Sequence, residues 1–338
     1  RRPPRSTPKP SSAASDVYKS QDLPEYILGI TKEIWEDRGI DRLNHYYTED
    51  IPMRFPEGIS IGNQNTINGT LATLSEFPDR QLTGEDVIWS GDDETGFLSS
   101  HRLLTMGTHL GNGYFGKATG KRFVIRAIAD CSAINNQIND EWLIRDTAGI
   151  VKQLGMDPKK FALDLIEREG GPENCIKPFS PSIHVKGPYR GSGNDNKWGQ
   201  KLSEILTGIM QKNYSIIQKE YDRAVQTEHP GSTTVHSWAD TEFLWMGLRS
   251  SFPNATFKLE HVIGREDSML SPRAAVRWSL SGKHEGWGMF DEPSGAEVYI
   301  MGFTHAEFGP YGLRKEFTLF DPCLLYTSDA ADEGLGVD

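Results

Sequence analysis

The first chemistry legible in this chain is a carboxylate at the end of an alternating segment. In DEWLIRD (140–146), Trp142, Ile144 and Asp146 fall on one face of a strand. If that face lines a hollow, Asp146 sits among aromatic and apolar groups. Burial then raises its pKa towards neutrality, which suits a general acid/base. Asp146 also precedes TAGIVKQLG, where aspartate is a favoured helix N-cap; both readings stand. Asp130 shares a face with Arg126 and Ile128, and either pairs with Arg126 or offers a second carboxylate. His109 ends a third strand, as acid/base or as a strand-end group bonding a loop carbonyl. Arg102, on the same strand, would hold an anionic group or pair with a carboxylate such as Glu141. Trp35, Tyr46, Tyr47, Trp89 and Tyr114 line a hydrophobic pocket or fill a core. The glycine loop 111–120 lacks the GxGxxG spacing and its strand–helix context, so it is no phosphate cradle. No G-x-S-x-G elbow and no metal-ligand spacing of Cys and His occur, which disfavours a serine hydrolase, a zinc site and a disulfide framework.

Several of these residues occur twice, at a constant offset of 175 positions, as do Phe77-Pro78 and Phe252-Pro253. Glu85, Arg102, Gly107, His109, Glu141 and Asp146 return as Glu260, Arg277, Gly282, His284, Glu316 and Asp321. Asp130 and Arg126 are replaced by His305 and Met301, so His305 and Asp321 would give the second copy its own His/carboxylate pair. A period this long is domain-sized, and 338 residues accommodate two domains.

The elements that must position these groups follow the same order in each copy. A helical segment over 26–47, broken at Gly39, precedes a short helix over 64–76 that stops at Phe77-Pro78. Strands and hairpins then run to Asp146, and a closing helix stops at Gly155. The second copy opens with a helix over 201–225 and continues with strands at 256–263, 272–281, 296–308 and 313–321. The expected fold is α+β: two tandem cones, each a curved antiparallel sheet with helices over one face and a pocket at the open end. The expected layout is a disordered arm over 1–20, domains at 21–156 and 199–322, and a linker over 157–198. The string CLLYTSDAADEGLGVD (323–338) resembles a translated sequencing adapter and is expected to be non-native, so that the natural chain would continue past Pro322.

Composition narrows the partners. With 47 Asp and Glu against 36 Lys and Arg the net charge is -11, which argues against nucleic acid. No segment approaches the ~20 apolar residues of a membrane span. The basic, Pro/Ser-rich start has no apolar core and is not a secretory signal, so a cytoplasmic location is expected.

As a set, Phe77-Pro78-Asp79, Arg102, Gly107-Thr108-His109, Thr119-Gly120-Lys121, Trp142 and Asp146 make residues 26–155 resemble the SnoaL-like polyketide cyclases, of the ketosteroid-isomerase-like and nuclear transport factor 2-like fold. The second copy departs at Lys283, Ser294-Gly295-Ala296 and Phe317. The resemblance implies a cofactor-independent enzyme, with neither metal nor organic cofactor, acting on a hydrophobic carbonyl-bearing small molecule. Asp146 would transfer protons in an intramolecular aldol closure, with His109 and Asp130 as further candidates and Trp142 and Arg102 in the pocket. The same pocket would serve an isomerase or hydratase. The alternatives are a tandem ligand-binding or scaffold protein, or an intrachain pseudo-dimer in which the second copy supplies a packing surface that a partner subunit supplies in a homo-oligomer.

Overall fold

The computed structural model describes residues 23–325; the expected arm over 1–20 and most of the expected tail lie outside them. The first domain opens with α1 (Leu23–Thr31), extended by a π-helical turn over Lys32–Glu36. A 3-10 turn and α2 (Leu43–Tyr46) follow, so the expected break falls at residues 37–39. The hairpin β1 (Pro52–Phe55) and β2 (Gly58–Ile61) leads to α3 (Asn63–Glu76), which stops where Pro78 forbids another turn. Next come β3 (Gln81–Asp92), β4 (Gly96–Thr108), β5 (Arg122–Ile134) and β6 (Gln137–Arg145), then α4 (Thr147–Gln153). Asn135 and Asn136, both at positive φ, make the tight turn between β5 and β6.

The second domain repeats this plan. It comprises α6 (Lys197–Met210), α7 (Ser215–Glu220), β7 (Tyr221–His229), β8 (Thr233–Val235), α8 (Trp238–Ser251), β9 (Thr256–Arg265), β10 (Arg273–Lys283), β11 (Glu297–Gly309) and β12 (Gly312–Leu319). The single helix expected over 201–225 is two, broken at 211–214 and ending at Glu220. Tyr221–Val225 belong to β7, whose Tyr221 pairs with Leu313 of β12. Between the domains, α5 (Pro158–Arg168) is capped by Asp157. The glycine-rich stretch after it is pinned to both domains, by Phe179 N–H to Pro56 O at 2.8 Å and by the Gly193–Val262 bridge.

Each sheet has six strands, in the orders β2-β1-β6-β5-β4-β3 and β8-β7-β12-β11-β10-β9. The sheets are mixed, since β1 runs parallel to β6 and β7 to β12; both stay open. Helices cover the concave face of each sheet, and the two outer faces pack on one another. Ile88, Leu98, Ile128, Trp142 and Ile144 of the first domain therefore belong to the same apolar cluster as the second domain's core. Contacts across this seam follow a pseudo-two-fold. The Arg102 guanidinium lies 3.8 Å over Phe317, and its counterpart Arg277 lies 4.0 Å over Trp142, the counterpart of Phe317. Cys323 and Leu325, the first residues of the expected tail, are buried in these cores.

Candidate functional site

Inside the first sheet lies a hollow of about 370 Å³, floored by Ala127, Ala129 and Cys131 of β5, Leu103 of β4 and Leu143 of β6, and roofed by Ile27, Ile30 and Trp35. Three small side chains in a row on β5 leave the space; long apolar ones around it keep it dry. A second hollow of about 480 Å³, running beneath α3 towards Phe77 and Phe115, shares Glu57, Thr73, Arg80 and Arg145 with it.

Among the polar groups that line this space is Glu141, with 3% of its surface exposed and Oε2 without a partner. Burial pushes its carboxyl up to about 7, against the smaller pull of a hydrogen bond from Tyr47 and the charge of Arg145. His101 shares the hollow. Burial, with Arg102 nearby, pulls its imidazole down to about 3, so it is neutral at physiological pH, and Nε2 has no partner.

Asp146 faces the other way. Alternation along β6 is as expected, but the cavity takes Glu141, Leu143 and Arg145, whereas Trp142, Ile144 and Asp146 face the second domain. Asp146 caps α4, accepting from Gly149 N–H at 2.9 Å, and its two oxygens also accept from Gly231 and Ser232 N–H at 2.7 Å each. Its carboxyl is raised by burial, which these three donors oppose.

The other expected residues divide in the same way. Asp130 accepts from Arg277 of the second domain at 2.9 Å, not from Arg126, which pairs with Glu85 and Glu228. Arg102 pairs with Glu85 at 3.1 Å and Glu307 at 3.2 Å rather than with Glu141. Trp142 lies between the guanidinium groups of Arg54 and Arg277, at 4.5 and 4.0 Å. These three line the seam between the domains, not the hollow. His109 Nε2 lies 3.1 Å from Glu76 Oε1, and the Glu76 carboxylate also accepts from Phe115 N–H at 2.8 Å. His109 thus ties the glycine loop to α3 through a carboxylate rather than a carbonyl. Trp35 and Tyr47 do line the first hollow, Tyr114 lines the adjoining one, and Tyr46 bonds Glu33 at 2.5 Å.

In the second domain the corresponding space is filled. Trp278, fully buried, stands where the first domain has Leu103, its ring lying over Gly302, the counterpart of Ala127. Glu316, the counterpart of Glu141, is engaged by Tyr221 Oη at 2.5 Å, His229 Nε2 at 3.0 Å, Trp245 Nε1 at 3.1 Å and Thr318 Oγ1 at 2.8 Å. His305 and Asp321 do not form a pair. His305 Nε2 lies 2.8 Å from Ser100 Oγ across the seam, while Asp321 accepts from Cys323 N–H at 2.8 Å and is raised to about 7 by burial and by Glu57. His284 lies 3.3 Å from Ser294 Oγ, as His109 lies 3.2 Å from Thr119 Oγ1.

Sequence reasoning passed over Glu141, His101, Arg80 and Arg145 as site residues. The available signal was the strand alternation itself, taken in its other phase, and the recurrence of Glu141 as Glu316.

Comparison with known proteins bears on the first half. Residues 25–154 match the family described as SnoaL-like polyketide cyclase. No curated protein sequence matches the chain. Among solved structures, IdmH from Streptomyces antibioticus is 19% identical, covers 39% of this chain and 98% of its own, and gives a TM-score of 0.35. TsrD from Streptomyces laurentii is 21% identical over 40% of this chain and 93% of its own, with a TM-score of 0.33. A SnoaL-like polyketide cyclase from Agrobacterium tumefaciens is 18% identical over 42% of this chain and 99% of its own, with a TM-score of 0.31. The family match spans 130 of the 338 residues and lies within the first domain.

Proposed function

We propose that the first domain is a cyclase of this family that moves a proton next to a carbonyl of a hydrophobic small molecule, with Glu141 as the acid/base. The observation that supports this reading is a buried carboxyl near neutral pKa, with one free oxygen, in a hollow lined largely by apolar side chains. Ionised, Glu141 takes a proton from the carbon beside the carbonyl; the resulting enolate attacks a second carbonyl of the same molecule, and protonated Glu141 returns the proton to the new alkoxide. In the tautomer that carries a proton on Nε2, neutral His101 donates to the enolate oxygen, where a cation would be costly to bury.

The test sets E141Q beside D146N, in solvent-deuterium exchange at the α-carbon of a ketone that binds. E141Q should lose exchange by about a hundredfold or more, the usual contribution of a positioned acid/base. D146N should keep it. The opposite result moves the role to Asp146, and unchanged exchange in both ends the proposal.

A second reading applies to the other half. The filling of its cone by Trp278 and the four donors around Glu316 support a domain that packs rather than catalyses. The chain then works as an intrachain pseudo-dimer with one working cavity.

A further inference from the structure

Arginines at the domain seam have carboxylate partners: Arg102 and Arg126 share Glu85, Arg273 meets Asp86 and Arg277 meets Asp130. Arg80 and Arg145, at the junction of the two first-domain hollows, have none among the described residues. Arg80 leaves the turn after Phe77-Pro78, keeps 8% of its surface exposed, and donates from Nε to Thr105 Oγ1 at 3.2 Å. Burial, with the charges of Arg145 and Arg38, pulls its guanidinium down to about 9. Arg145 ends β6, its guanidinium 5.7 Å over the Phe55 ring. Glu57 lines the same junction without an ion pair to either arginine.

A buried and a half-buried cation that line one junction without an ion-paired carboxylate are costly, and an anion seated there removes part of that cost. The second domain supplies the contrast. At the positions of Arg80 and Arg145 it has Ala255 and Phe320, both buried and apolar, in the cone that Trp278 fills. The pair is present where the cavity is and absent where it is not.

We propose that the first-domain cavity recognises its substrate by an anionic group, a carboxylate in its simplest form, gripped by Arg80 and Arg145. This deepens the cyclase reading and rests on it for the identity of the ligand as substrate. Guanidinium forks match carboxylate geometry, whereas an ester or ketone oxygen offers a weaker acceptor. Glu141 and Arg145 share one face of β6 four residues apart, roughly 13 Å along the strand.

The experiment is isothermal titration of the full chain with 2-naphthoate and its methyl ester as probes. Wild type should bind the carboxylate about ten- to a hundredfold more tightly than the ester, the range expected for hydrogen bonds to a charged partner. R80Q and R145Q should each bring the carboxylate down towards the ester while leaving ester affinity unchanged, and R145K should retain most of the preference. E141Q should keep the preference even where it abolishes proton exchange, so the failure of the anion site and the failure of the acid/base role are distinguishable. Equal affinities in wild type, binding of neither probe, or a preference that survives both glutamine variants overturns the proposal. If near-UV circular dichroism shows R80Q unfolded, the half-buried Arg145 variants decide alone.

Discussion

Replacing Glu141 by glutamine should make the stability of the protein less sensitive to pH. In the native state the Glu141 carboxyl is raised to about 7 from its ordinary value of 4.5, because its ionised form is buried in a largely apolar cavity. A folded-state pKa above the unfolded one means the native chain holds its proton more tightly. The associated stability is fully present below about pH 4.5 and is lost as pH rises through about 7. At about 1.4 kcal/mol per pKa unit, the loss amounts to about 3 kcal/mol. Glutamine keeps the shape and an acceptor for Tyr47 but has nothing to ionise. E141Q should therefore match wild type within about 1 kcal/mol at acid pH and exceed it by about 3 kcal/mol at mildly alkaline pH. Other raised groups, such as Asp321, are common to both proteins and cancel in the difference. The measurement is urea unfolding by tryptophan fluorescence at a series of pH values, with the first domain's transition fitted separately if the domains unfold apart. A difference that stays constant across the range would mean that Glu141 ionises as freely in the fold as in the open chain. Water would then reach it, and the case for a tuned acid/base would fail.

Two further outcomes follow from the seam and from the second cone. D146A removes an N-cap and two further backbone hydrogen bonds to a buried carboxylate, which should cost about 3–5 kcal/mol; a loss below about 1 kcal/mol in chemical denaturation would contradict this structural role. W278A should cost about 3–5 kcal/mol and open a void over Gly302. Indole should then raise the melting temperature of W278A but not of wild type, and a variant indifferent to indole would show that the ring does not plug a ligand-sized space.

The fold was legible because each element carries its own period and its own stop. Phe77-Pro78 ends α3, Asn135-Asn136 turns β5 into β6, and the 175-residue offset announces the duplication. Two features were not. The parallel pairing of β1 with β6 joins strands some 90 positions apart, as Met53 with Glu141, and leaves no local signal. Tyr221–Val225 continue the apolar spacing of α7 in sequence, but pairing with β12 takes Tyr221 into a strand. The site failed for a different reason. Alternation along β6 gives a period but no phase when both faces are buried, one against a cavity and the other against a neighbouring domain. Trp142 and Asp146 look like pocket residues because they are buried and mixed with apolar groups. Burial is equally true of Glu141 and Leu143 on the other face.

The duplication also separates the two kinds of position. Residues that the copies share with one offset lie largely at the seam or at strand ends: Arg102 with Arg277 over opposite aromatic rings, His109 with His284 beside loop hydroxyls, and Asp146 with Asp321 after the last strand. Residues inside the cones differ more freely: Leu103 against Trp278, Ala127 against Gly302, His101 against Val276, Arg80 against Ala255, Arg145 against Phe320, although Asp130 against His305 and Trp142 against Phe317 show that the seam also admits changes. A pseudo-two-fold interface requires like surfaces on both halves, because each residue meets the counterpart of its own partner. No such constraint acts on the interiors, where one cone can keep a hollow and the other fill it. Glu141 and Glu316 cross this division, alike in sequence and inside both cones. One is left with a free oxygen in an apolar space, the other is held by four donors. In a duplicated cone of this kind a shared motif therefore points first to how the halves dock. The chemistry is better sought where the copies disagree around a residue they have in common.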